Sequence, residues 1–424
     1  KRKISVLFLI DAELFAFFAE EIKYIKKRND RDILLICLIL TKSNLCYVTV
    51  VYFKLISIMN NTSASLLQPR PNSRLASLDI LRGFDLFLLV FFQPVLVDLG
   101  RHLNLSWIPP VLYQFDHAEW FGFRFWDLVM PLFLFMTGTS MPFSLARYCE
   151  QSDKRSAHRK IFRRFLILFL LGMVVQGNLL GLNPNRIYFY VNTLQAIAAG
   201  YLTAALLLLH TRLKIQFWAT AALLVIYWIP MTFAGDFTPE GNFAHKVDQL
   251  IMGRFCGDPT YTWIWSSLTF GVTVMLGTFA GRLMKNGKDN RLKVCRQLLL
   301  IGVALVLGGW LWSFQMPVMK RVWSCSMTLL SGGYCFLLMG LFYYWIDCKR
   351  HVRGMEWLKF YGMNSITAYM LGETVNFRCI VHSVSYGFER YLGEYYSVWL
   401  TFGNFLILFL ILRWMYHRQI FLKI

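Results

Sequence analysis

The chain has 424 residues, 56% of them hydrophobic and only 16% charged, with a mean hydropathy of +0.46, whereas soluble domains carry about 25% charge. Its net charge of +20 would suit a nucleic-acid binder if it lay on one soluble face. Instead Lys and Arg occupy short loops between apolar blocks, a pattern of membrane topology that excludes a soluble domain and a nucleic-acid partner.

Residues 1–58 read as an upstream extension outside the fold. Residues 19–32 are dense in charge, and the apolar stretches around them are broken by Asp11, Glu13, Lys42 and Lys54. Neither stretch has the cleavage pattern of a signal peptide. Met59 is the expected start; residues 59–77 form a cytoplasmic N-terminus and residues 78–420 the membrane domain.

The expected fold is all-α, a polytopic transmembrane bundle of about ten spans, because the apolar blocks are each about twenty residues long. They fall near 78–100, 125–148, 160–182, 188–210, 214–234, 261–284, 293–314, 324–346, 358–378 and 395–417. Basic residues cluster in alternate loops, from Arg147 to Arg164, at Arg212 and Lys214, from Arg282 to Arg296 and from Lys349 to Lys359. The positive-inside rule makes those loops and both termini cytoplasmic. Loops 101–124 and 235–260 then face outward as folded caps. Many Trp and Tyr flank the blocks, where headgroups favour them.

The nine cysteines show no CxxC pair and no Cys/His ligand spacing, so no metal or dithiol site is expected. Cys256 and Cys379, both in outer loops, either pair or remain free thiols.

Ionisable and amide groups inside apolar spans are costly and mark candidate sites. Asp79 and Arg82 lie three apart, on one face of the first span, and form either a local ion pair or part of a site. Gln93 follows Arg82 by eleven residues, past mid-membrane, and Pro94 after it kinks the helix. The outer loop then delivers Phe115-Asp116-His117-Ala118-Glu119-Trp120, and the next span opens at Trp126-Asp127. His117 alone among the histidines lies close to a Trp and carboxylates at the membrane surface, and imidazole titrates in the range of a general base. Lys320 stands at the outer entrance of a later span. Asn364 and Ser365 open the ninth span on the cytoplasmic side, with Glu373 in its outer half. Polar groups at both mouths of one bundle suit a transporter of sugars or organic anions, or an enzyme drawing one substrate from each side.

Four stretches in order resemble the heparan-alpha-glucosaminide N-acetyltransferase family, especially its bacterial branch: Arg74 to Gly83, Phe115 to Gly122 running into Asp127 to Phe135, Pro317 to Trp323, and Gly362 to Ser365. The resemblance implies transfer of an acetyl group from cytoplasmic acetyl-CoA, with no metal, to a sugar or oligosaccharide on the periplasmic side of a bacterial inner membrane. It implies that His117 is catalytic, either as a base or as a transient acetyl carrier. Gln93 stands where the family has asparagine. Gln93 or Lys320 would donate to the oxyanion. Asp127, Asp116 or Glu119 would orient the ring, with Asp127 requiring a turn between Gly122 and Trp126. Asp79, Arg82, Lys320, Asn364, Ser365 and Glu373 complete the expected substrate-binding set. The acceptor is either an amine or a hydroxyl; the basic cytoplasmic loops either hold the coenzyme phosphates or serve topology alone. Membrane lipid is an expected partner, and a homodimer is left open.

Overall fold

The computed structural model describes residues 75–103, 105–145, 148, 154–177, 187–257, 260–287 and 289–422. The expected extension 1–58, and all but the last three residues of the 59–77 segment, lie outside them. Every regular element among the described residues is helical, as the composition requires: backbone polar groups in hydrocarbon must be satisfied within the segment.

In chain order the helices are α1 (Ala76–His102), α2 (Ile108–Gln114), α3 (Val129–Ser144), α4 (Lys154–Val175), α5 (Thr193–His210), α6 (Leu213–Phe233), α7 (Phe243–Met252), α8 (Ser267–Asn286), α9 (Arg291–Trp312), α10 (Cys325–Cys348), α11 (Leu358–Met363), α12 (Ser365–Thr374), α13 (Arg378–Ser385) and α14 (Tyr396–His417). Seven stretches among the described residues are long and apolar enough to cross a membrane: α1, α5, α6, α8, α9, α10 and Arg378–His417. Three further expected spans take other forms. α3 has only 16 helical residues. The first turns of α4 are strongly basic, with Lys154, Arg155, Arg159, Lys160, Arg163 and Arg164. The 358–378 block breaks at Asn364, whose φ of −114° and ψ of 39° separate α11 from α12.

Pro94 is absorbed by a π-helical segment, Leu88–Phe92, in which the Gln93 amide reaches back to Leu88 O. The wider turn relieves the clash that a proline ring makes with the carbonyl four residues earlier.

α3 packs on α8 and α1 on α11 at backbone distance. A Cβ at Gly138 would collide with Val274 O, and one at Gly277 with Phe135 O; Gly83 and Gly362 meet Leu358 O and Asp79 O in the same way. Small residues permit this approach where lipid supplies no hydrophobic drive between helices. Fully buried Phe135, Met136, Tyr227 and Phe336 fill the core between α3, α6, α8 and α10. One end of the bundle carries short helices and loops, and the candidate site lies there.

Candidate active site

The segment between α2 and α3 folds back on itself through a few specific bonds. Gln114, in the last turn of α2, accepts from the Phe125 amide at 3.2 Å through its side-chain oxygen. Gly122 takes a φ of +108°, a conformation open to glycine and strained for other residues, and its amide donates to Val318 O at 2.8 Å. Trp120 Nε1 donates to Phe237 O at 2.7 Å, tying the segment to the 235–242 loop.

This turn returns Asp127 to His117. The Asp127 carboxylate, 0% exposed, accepts from His117 Nδ1 at 2.9 Å, from the Ala118 amide at 3.3 Å and from the Arg124 amide at 3.0 Å. Of the three expected orienting carboxylates, Asp127 is the one that reaches the ring. Asp116 bonds the His117 backbone amide instead, at 2.8 Å, and stands 3.7 Å from Arg124.

The Gly122–Val318 bond also draws in the loop before α10, which carries Lys320. That loop is held on all sides. Ser324 Oγ accepts from the Met319 amide at 3.1 Å and from Met327 at 3.3 Å. Val322 O accepts from Ser266 Oγ at 2.9 Å and from Tyr227 OH. Trp323 takes a φ of +55° while its Nε1 bonds Thr273 Oγ1 at 3.2 Å; a bulky residue in that region is strained and persists where its surroundings fix it.

Lys320, 7% exposed, places Nζ 3.5 Å from Asp127 Oδ1 and 2.7 Å and 3.1 Å from His117 Nδ1 and Nε2. Nδ1 has a single hydrogen-bonding position. With Nδ1–H donated to Asp127, Nδ1 has no lone pair left for Lys320, and an Nζ this close to both ring nitrogens stands against the ring rather than along the Nε2 lone pair. Burial lowers the Lys320 pKa to about 8, with Asp127 acting against that shift.

His117, 39% exposed, opens on a cavity of about 390 Å³ lined also by Lys320, Trp126, Asn192, Tyr369 and Glu373. Asn192 is fixed by a reciprocal cap: its side chain accepts from Leu194 N at 2.8 Å, and Gln195 accepts from Asn192 N at 3.1 Å. A second, more polar cavity of about 550 Å³ borders Glu373 from the other side, with Gln93, Asp98, Arg378, Thr401 and Asn404 in its wall. There Asp98 pairs with Arg378 at 3.2 Å and accepts from Ser397 at 3.2 Å and Thr401 at 2.5 Å.

The structure thus gathers His117, Asp127, Lys320 and Glu373. Gln93 is not in that cavity: it faces the second one and donates Nε2 to Phe115 O at 3.3 Å, two residues before His117. Asp79 and Arg82 in α1 and Asn364 and Ser365 at the α11–α12 break belong to the opposite end of the bundle. Asn364 is 1% exposed, and its side-chain oxygen and nitrogen, like Thr367 Oγ1, have no hydrogen-bond partner among the described residues. α12 therefore carries unpaired polar atoms at its N-terminal end and Glu373 at its C-terminal end.

Asn192, Tyr369, Asp98 and Arg378 were not singled out from sequence. For Asp98 and Arg378 a signal existed, an ionisable group at the edge of an apolar stretch. For Asn192 and Tyr369 nothing distinguished them from ordinary interfacial residues. No group of three or more His, Cys, Asp or Glu side chains among the described residues could hold a metal.

A family model described as "Heparan-alpha-glucosaminide N-acetyltransferase, catalytic" matches residues 74–314. The human heparan-alpha-glucosaminide N-acetyltransferase is 25% identical over 370 residues, 70% of this chain and 52% of its own length. The mouse protein of the same name is 23% identical over 369 residues, 70% of this chain and 53% of its own. The chain spans about half the length of these curated relatives.

Proposed function

The chain belongs to the heparan-alpha-glucosaminide N-acetyltransferase family, and from that premise we propose that it is a transmembrane acetyltransferase carrying acetyl from cytoplasmic acetyl-CoA to a sugar on the periplasmic side. The observation that carries this reading is the His117–Asp127 pair with Lys320 beside it, set in a cavity at the outward end of the bundle.

An amine or hydroxyl attacking a thioester must lose a proton, and the carbonyl oxygen becomes negative as it does so. Asp127 holds His117 in the tautomer with Nδ1 protonated, which leaves Nε2 to accept the proton. The Lys320 ammonium, held against the imidazole ring, supplies a cation for the developing oxyanion. The sulfur leaves with the shared electrons, and the proton that restores the thiol comes from His117. Acetyl, proton and thiol then balance as acetylated sugar and free coenzyme.

The donor set fits a pantetheine arm entering from the cytoplasm. Asn364 and Thr367 offer buried, unpaired amide and hydroxyl groups to its two amides, and Asp79, Arg82 and Ser365 stand at that mouth. The acceptor approaches by the polar cavity on the far side of Glu373, whose carboxylate forms its boundary with His117's cavity. The test is acetyl transfer from labelled acetyl-CoA to a panel of amino and neutral sugars by purified protein. Transfer to at least one sugar supports the reading, and none with folded protein removes it.

A further inference from the structure

A cavity larger than the one that holds His117 lies elsewhere in the bundle. It is a crevice of about 980 Å³ flanked by α6 and α9 and floored by α8 and α10, with Leu224, Val272, Leu276 and Phe336 in its walls. Much of α6 and α9 is exposed: 28% of the apolar window of each is buried, against 72% for α8. Phe217, Leu213, Leu300 and Leu307 present large apolar surfaces there. In water such faces would be a liability; in a bilayer they meet acyl chains.

The end of the crevice formed by the α8–α9 turn differs in chemistry. Arg282, Lys285 and Lys293 line it, with Asp289 the one carboxylate among the lining residues. Lys285 and Lys293 form no ion pair with a described residue. This is the turn whose basic residues the positive-inside rule assigns to the cytoplasmic face.

We propose that this crevice is a binding site for an anionic glycerophospholipid of the cytoplasmic leaflet, its acyl chain between α6 and α9 and its phosphate at Lys285 and Lys293. Two physical arguments select that occupant. An apolar volume of this size neither holds water nor stays empty without losing dispersion contacts along its walls, and the solvent at that depth is acyl chain. Cations near an anionic leaflet each add to headgroup affinity, and Lys285 and Lys293 stand against Asp289 as the one lining carboxylate.

Coenzyme A shares the pattern of phosphate and apolar arm, and the packing argues against it. The crevice and His117's cavity have no lining residue in common. Between them α3 and α8 meet at Gly138 and Gly277 with no space for even a Cβ, and Phe135 packs edge-on against Phe336 at 5.1 Å between ring centroids. A thioester in the crevice would be walled off from the imidazole.

The test uses the whole protein in nanodiscs of mixed phosphatidylglycerol and phosphatidylcholine, with co-purifying lipid read by native mass spectrometry. The expected result is enrichment of phosphatidylglycerol by about tenfold, the scale of a few surface cations, falling to about twofold or less in Lys285→Gln/Lys293→Gln. Ala221→Phe, which projects a ring into the crevice, should reduce retention of both lipids and controls for a charge variant that fails to fold. Equal retention of the two lipids by wild type, or unchanged enrichment in the double variant, would overturn the proposal. So would displacement of the lipid by coenzyme A at concentrations that support binding.

Discussion

Asp127 and Lys320 meet the His117 ring with opposite charges, and both are buried while the ring stays open to the cavity. Asp127→Asn keeps the shape but can donate to Nδ1, stabilising the tautomer whose Nε2 carries the proton. Transfer should fall by roughly a hundredfold or more, the range spanned by general bases and by the same change in hydrolase triads, with sugar KM little altered. Lys320 gives a pH dependence. Its pKa lies at about 8, so its charge is present below that value and lost above it, and kcat should decline as pH rises through about 8. Lys320→Arg should move that alkaline limb upward, because guanidinium keeps its proton; a limb that stays in place would assign it to another group. The sequence singled out His117 by its setting among Trp and carboxylates and by its match to the family motif, and the structure sets it against Asp127 and Lys320. Its partners were harder to read. Asp127 is ten residues away, about 15 Å along a helix, and only the positive φ at Gly122 cancels that distance. Lys320 lies 203 positions away in sequence, and nothing local announces the contact.

At the scale of elements, the apolar blocks carried most of the architecture, since length and hydropathy alone mark a helix that must satisfy its own backbone. They carried the span count less well. A block such as 358–378 reads as one helix from its composition, yet Asn364 divides it, and α3 is shorter than the apolar block that contains it. Local propensity did not reveal the π-helical segment before Pro94 either, because the widening answers a clash between a ring and one carbonyl. Close helix contacts give a direct prediction. Gly362→Leu must push α11 away from Asp79 O in α1; overpacking of this kind costs about 1–3 kcal/mol or more. A thermal-unfolding midpoint several degrees below wild type in the same detergent is expected, and an unchanged midpoint would show that the two helices are not held at backbone distance.

At the scale of the molecule, the account requires that His117's loop and the basic turns lie on opposite sides of the membrane. A single cysteine introduced at Asn104 or at the exposed Glu240 should react with an impermeant thiol reagent in cells permeabilised only at the outer membrane, and one at Asp289 should not. Labelling at Asp289 alone would invert the topology and put the proposed donor entrance on the wrong face. The central claim, that His117 passes a cytoplasmic acetyl group to an outward-facing sugar, is tested most directly by acetyl transfer from labelled acetyl-CoA by wild type and His117→Ala, each with a thermal-shift measurement of coenzyme binding. The account expects a folded variant that still binds acetyl-CoA and transfers roughly a hundredfold less, the contribution of a general base. Near-normal transfer by a folded His117→Ala protein would contradict it, and absence of transfer by wild type itself would favour a transport pathway through the same bundle.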